Sequence, residues 1–514
     1  MTDPVLQLLR TRPDLAELAA YPFNFDIDRA YHVEGVHLAS GASLEAIAGD
    51  DTGGTYFLCG GTAVLHASSD GYASLLAESV SEALEILVRL PWWCEDVSAD
   101  LDEEGLLAAV REGDADTYEE TAHEIDAQRR TLIAGLGLPD RPLTELHALS
   151  EAATRRTEPD HVLLNSDELC AYQLEECYRQ PLREIVLAPG RAALERLRSD
   201  DPAAREEAAA DPVLRAGVLR AARSDRHDGD LPLLRLLLEH ENAEQAEQAE
   251  RAERAERAER AERTERFEPA KRFEERWLAA MLVASYGRDE DVPLLRAATA
   301  GRITSSAEAV ERARAEEARR PEDDLTWIDL AHRQGRTENA RVALIRLLDD
   351  TGPDADRLRR LSRALERLGD HAQAARGQFN LLSLQDSPQD RASEASVLAR
   401  LERRKGDLPA AARALEKART SLEAFPEARR LGLGRLVTEQ HLELVLAAAE
   451  AGDTELARTT MGHARRLLAT IAEESAKALS TLSTQAKWTV ARLPSGNASS
   501  ALPDGPGATG AGLS

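Results

Sequence analysis

Aromatic side chains are scarce, at 4% of a 514-residue chain. Cysteine occurs four times, at Cys59, Cys94, Cys170 and Cys177, and never as CxxC. That spacing indicates neither a zinc cage nor a disulfide framework. No apolar run approaches bilayer length, and the longest, around Trp277–Tyr286, is far too short to span one. The opening MTDPVLQLLRTRPDL lacks a basic stretch followed by an apolar one, so no secretory signal is visible. The expectation is a soluble, cytoplasmic protein with no membrane role.

Catalytic signatures are missing as well. There is no GxxxxGK[ST] phosphate loop, and Gly53-Gly54 and Gly60-Gly61 lack the GxGxxG context. His123-Glu124 and His240-Glu241 lack the second histidine of HExxH, and no GxSxG elbow occurs. Carboxylate pairs such as Asp50-Asp51 and Glu119-Glu120 are too common in so acidic a chain to mark catalysis. Cys170 and Cys177, seven apart with His161 nearby, read as buried structural thiols rather than a metal site. No enzyme, cofactor or metal is expected.

The charge, in contrast, is abundant and lopsided. The formal net charge is −28. Residues 1–190 hold 36 acidic against 12 basic residues, and the remainder 56 against 52. Such an N-terminal field repels phosphate backbones, which argues against nucleic acid there. It would steer and hold a basic partner.

The length allows about three or four domains at roughly 150 residues each. β signals concentrate in the first hundred residues. Tyr31–Leu38 alternates imperfectly and reads as a strand; Thr55–Cys59 and Thr62–His66 read as a hairpin about Gly60-Gly61. Helical spacing is expected from Tyr72 to Leu90, closed by Pro91. This predicts an α+β domain over residues 1–100.

Within it, the run LEAIAGDDTGGTYFLCGGTAVLHASSDGYASLLAESVSEALEILVRLPWW resembles the second half of a SUKH-superfamily domain. The matching pieces are Ala48-Gly49-Asp50, Gly53-Gly54-Thr55-Tyr56-Phe57-Leu58, Ala63-Val64-Leu65 and Ser79–Leu87. The resemblance covers roughly residues 23–100. It implies a non-enzymatic protein-binding domain, often a bacterial immunity module that caps a secreted toxin. Many such toxins are nucleases with basic faces, which the acidic third of this chain would suit.

Residues 101–190 read as a mostly helical extension, with helices at Leu101–Val110, Asp116–Leu136 and Leu163–Tyr178 and an end at Pro189-Gly190. Over residues 191–300, Asp230-Leu-Pro-Leu-Leu-Arg235 recurs as Asp291-Val-Pro-Leu-Leu-Arg296. Seven Ala-Glu-Gln/Arg triplets, residues 243–263, separate the copies. Without the triplets the offset is 40 residues, the period of a HEAT-like array. Asp is expected to cap the second helix of each hairpin, with Pro tolerated in its first turn. The triplets predict a solvated helix with no fixed apolar face.

Residues 301–320 read as a linker helix, and residues 321–493 as degenerate TPR-like repeats. Gly335, Gly369, Gly406 and Gly452 are each followed five residues later by alanine, at Ala340, Ala374, Ala411 and Ala457. Asp370, Asp407 and Asp453 follow three of those glycines. Glycine would end one helix, aspartate start the next, and alanine let the two approach. Residues 494–514 form a Gly/Ser/Pro/Ala tail expected to be disordered.

The fold class expected is therefore an α+β N-terminal domain followed by an all-α HEAT/TPR-like solenoid. Its expected task is to bind a protein, as an immunity-type protein that occludes a basic toxin or, alternatively, as a scaffold. Trp92, Trp93, Glu95 and Asp96 are the candidate partner contacts, since tryptophan is over-represented at hot spots.

Overall fold

Among the described residues, strands occur only before residue 166: β1 (Val36–Leu38), β2 (Leu44–Gly49), β3 (Thr55–Cys59), β4 (Ala63–Ala67), β5 (Ala73–Ala77) and β6 (Leu163–Asn165). The computed structural model describes residues 3–90, 101–118, 122–174, 178–259, 272–319, 323–425, 427 and 432–494. It divides into two units, Met1–Arg346 and Leu347–Ser514. The architecture is an α+β N-terminal domain and a helical remainder.

Strands β2 to β5 form one antiparallel sheet in sequence order. Gly60 and Gly61 both have positive φ, 59° and 84°, within the three-residue loop Gly60–Thr62 across which Cys59 pairs with Ala63. Alternate side chains of the sheet enter two different cores. Tyr56, Leu58, Val64 and Leu76 join one with the surrounding helices; Phe57, Leu65 and Leu75 join the other with Leu38, Leu163 and Tyr172. This period of two corrects the expected helix from Tyr72. Leu75 and Leu76 are neighbours that point to opposite faces, so Ala73–Ala77 is a strand. The helix starts only at Val80, where Ser79 accepts the Glu82 amide, and ends at Arg89.

Two further expectations are corrected here. Over its described residues up to Leu174, the expected helix Leu163–Tyr178 is not helical: Leu163–Asn165 pairs with β1, and Ala171 and Gln173 make isolated bridges. Val162, Leu163 and Leu164 are buried in succession, which a strand covered on both sides permits. Of the expected strand at Tyr31–Leu38, only Val36–Leu38 is β. Pro189-Gly190, expected to end this region, lies inside the helix Leu182–Arg198. Expected helices at residues 101–136 are present as Glu103–Tyr118 and Ala122–Leu136.

In the helical part of the first unit, both repeated aspartates are buried, but neither caps a helix through its side chain in the expected way. Arg198 holds Asp230 through Nε and Nη2 at 3.0 and 2.9 Å. Arg235 holds Asp291 in the same side-on geometry, at 2.5 and 3.0 Å. Asp291 makes no side-chain cap bond, and Asp230 accepts the His227 amide behind it. Each repeated aspartate is thus an acceptor for an earlier arginine. The helix Leu231–Glu259 carries the triplets that fall within the described residues. The helix Ser306–Arg319, expected as a linker, buries Ala309 and Ala313 in the core that holds Leu282.

From residue 323, helices come in pairs. They are Asp324–Arg333 with Thr337–Asp349, Ala355–Arg367 with His371–Ser383, Pro388–Lys405 with Leu408–Ala424, and Gly432–Glu450 with Thr454–Leu468. Gly335, Gly369, Gly406 and Gly452 all adopt left-handed φ between 78° and 96° at the joints. Asp370, Asp407 and Asp453 accept amides of the following helix. Ala340, Ala374, Ala411 and Ala457 are buried.

Candidate functional site

The first unit gathers polar and aromatic groups at one end of the four-stranded sheet, where β3 begins, β4 ends and β5 begins. The turn before β3 is built around Asp50. Asp26 and Gly49 exchange backbone hydrogen bonds of 2.9 Å, which fixes the chain on entry. One Asp50 oxygen then accepts from Thr52 N, Thr52 Oγ1 and Gly54 N at 2.9, 2.9 and 2.7 Å. The other lies 2.8 Å from His66 Nε2 on β4. A side chain at Gly54 would collide with both Asp50 and His66, so glycine is required there. Burial by itself would raise the Asp50 carboxyl, but the hydrogen bonds from His66, Thr52 and Gly54 outweigh it and bring its pKa down to about 2. The carboxylate is a fixed acceptor that staples the turn to β4.

Tyr56 packs against Phe25 and His66 in tilted geometry, with ring centroids 5.2 and 4.8 Å away. On the other side of the strand, Thr55 Oγ1 donates to Tyr31 O and lies 3.0 Å from His32 Nδ1. His32 Nε2 is 3.0 Å from the Tyr172 hydroxyl, which donates to Glu34 at 2.6 Å. Both ring nitrogens therefore face hydroxyl oxygens. Burial pushes the His32 pKa down, and the Glu34 charge opposes it. Burial, and donation to Glu34, raise that of Tyr172. Arg346 fixes the Tyr172 segment, donating to Tyr172 O and Glu158 at 2.7 Å each.

Exposed apolar side chains lie on the same segments. Tyr31, Val33 and Tyr72 are 66, 89 and 46% exposed. They share the sheet end with Thr55, Ser68 and Gln173: Thr55 bonds Tyr31 O, Ser68 N bonds Tyr72 O, and Gln173 bridges to Tyr72. The exposed charges on these same segments are mainly carboxylates, Asp28, Glu34, Asp51 and Asp70, with Arg29 tied to Asp26 and to the Asp50 carbonyl. An apolar centre with an acidic rim can bury a partner's apolar side chains and pair its rim cations.

The expected contacts Trp92, Trp93, Glu95 and Asp96 lie outside the described residues, as do Cys94, Glu119, Glu120 and the tail from residue 495. Cys177 does too, whereas Cys170 is partly exposed with its thiol 3.5 Å from Glu168. Among the described residues, no group of three or more His, Cys, Asp or Glu could hold a metal ion. Cys59 is buried, and burial pushes its thiol up to about 12, so it acts as a core hydrophobe.

Tyr31, His32 and Val33 escaped the sequence reading, which placed them in a strand. The His32–Tyr172 pairing, 140 residues apart, left no sequence signal. No protein-family model matches the chain, and no curated protein matches it.

Proposed function

We propose that this chain is a non-catalytic protein-binding protein whose acidic α+β domain occludes a basic partner, in the manner of a SUKH-like immunity protein. The observation that supports this reading best is the exposed trio Tyr31, Val33 and Tyr72 among carboxylates at one end of the sheet. Tyrosine is among the residues that dominate interface energies when buried by a partner. The net −24 of residues 1–190 would raise the on-rate of a cationic partner and make it salt-sensitive. The mechanism is steric and electrostatic: the acidic rim orients the partner, and burial of the aromatic centre covers its working surface. Neither nucleic acid nor a membrane enters this reading, and it needs no cofactor.

The test is affinity capture with the full-length chain and with a Tyr31→Ser/Val33→Asp/Tyr72→Ser variant, at low and high salt. The reading expects a basic protein bound by the parent, released by salt and absent from the variant. Capture that is indifferent to both changes counts against it.

A second reading, a scaffold, has its own support in the recurring Gly–Asp–Ala joints, which fit a TPR-like solenoid. Under that reading the trio variant keeps its partners, and changes on the helical repeats remove them.

A further inference from the structure

The second unit carries a cleft of about 470 Å³ where the helices His371–Ser383, Pro388–Lys405 and Leu408–Ala424 meet. Its floor includes the buried Leu382, and its walls include Phe379, Arg391 and Lys417. Phe379 is 53% exposed, although every neighbouring leucine on that helix is buried. The Lys417 ammonium sits 5.4 Å from the centre of the Phe379 ring. Arg391 makes one long bond, 3.4 Å to Gln385 O. Among the described residues, neither cation has a carboxylate within ion-pairing distance. The one acid on the wall, Glu416, is already held by Arg419 through two nitrogens.

A cavity of this size falls in the range that holds a ligand of several residues or a drug-sized molecule. Its chemistry is specific. An exposed aromatic ring offers a stacking surface, and a cation over that ring marks its electron-rich face. An unpaired guanidinium and an unpaired ammonium offer charge-assisted bonds to a carboxylate. We propose that this cleft binds an acidic peptide segment, with a carboxylate between Arg391 and Lys417 and an adjacent aromatic or aliphatic side chain laid on Phe379. The charge preference is opposite to that of the acidic end of the first unit. The two sites therefore take different partners, and this inference stands whether or not the first one holds.

Isothermal titration of the full-length chain with three hexapeptides tests it: alternating Glu and Phe, alternating Lys and Phe, and alternating Glu and Ser. Saturable binding is expected for the Glu/Phe peptide alone. Lys417→Glu, Arg391→Glu and Phe379→Ser should each weaken it by roughly tenfold or more, the scale of one charge-assisted or stacking contact. All three positions are exposed, so the variants should melt like the parent. Arg435→Glu, the same charge change at another exposed position of the unit, should leave binding unchanged. The proposal is overturned if the Glu/Phe peptide does not saturate, if the Lys/Phe peptide binds as tightly, or if the cleft variants bind like the parent.

Discussion

Gly190 and Gly217 meet so closely that a β-carbon on Gly190 would lie 2.4 Å from the carbonyl carbon of Gly217. The contact is lopsided, since a β-carbon on Gly217 would come no nearer than 3.4 Å to the Gly190 backbone. It joins the helix Leu182–Arg198 to the helix Pro212–Ser224. Gly190→Ala should therefore destabilise the first unit by about 2 kcal/mol or more, because backbone must shift to admit the methyl. Gly217→Ala should be neutral or gain up to about 1 kcal/mol from helix propensity. Denaturant unfolding of the two variants checks the asymmetry; equal losses would contradict the packing.

The paired arginines and repeated aspartates make a second case. Asp230 is 2% exposed, and Arg198 is its bidentate partner. Asp230→Ala should cost about 3 kcal/mol, because Arg198 keeps Glu195 and Asp225 but loses its buried bidentate partner. Arg198→Ala should cost a similar amount, and the double change much less than the sum. A double-mutant cycle followed by thermal unfolding measures this. Additive losses would mean the two side chains do not support each other.

Acid should loosen the turn before β3. The Asp50 pKa is lowered to about 2 in the folded chain, below its ordinary value of 3.8, so the unfolded chain binds the proton more tightly. The stabilisation is complete above pH 3.8, disappears as pH falls through about 2, and amounts to about 2 kcal/mol. Asp50→Asn should remove that acid dependence, and the carbon-13 titration of the Asp50 carboxyl should have its midpoint near the lower value. A midpoint at the ordinary carboxylate value would contradict the hydrogen-bond cage.

His441 gives the second unit a milder acid limit. Burial depresses its pKa to about 4, aided by the neighbouring His463 and Arg419 and opposed by the bond to Val437 O and by Glu416. Its neutral form is the one that folds. Stability is therefore full above pH 6.5 and falls by about 3 kcal/mol as pH drops through about 4. His441→Leu should flatten the dependence of the second unit's melting temperature between those limits. An unchanged slope would place the acid sensitivity elsewhere.

The sequence was most legible where one residue type has one geometric use. The four glycines before helix starts adopt left-handed φ, and the alanines five residues on are buried, because few residues other than glycine and alanine serve at those positions. Gly60-Gly61 announced its hairpin for the same reason. Leu75-Leu76 misled because an apolar pair fits one helix face as well as two faces of a doubly covered strand. The repeated Asp-x-Pro-Leu-Leu-Arg motif revealed its period but not its chemistry, since the arginine that holds each aspartate belongs to an earlier helix. The candidate site was half visible: Gly49-Asp50 was among the pieces that resemble a SUKH domain, but His32, Glu34 and Tyr172 meet through pairings of segments far apart in the chain.

The most direct test of the central claim is the affinity of the captured basic partner for the full-length chain and for its Tyr31→Ser/Val33→Asp/Tyr72→Ser variant, at about 50 and about 500 mM salt. The account predicts a loss of roughly 100-fold or more in the variant at both salts, from removing hot-spot residues, with unchanged melting. It also predicts weaker parent binding at the higher salt. Equal affinity of parent and variant, or binding insensitive to salt, would contradict it.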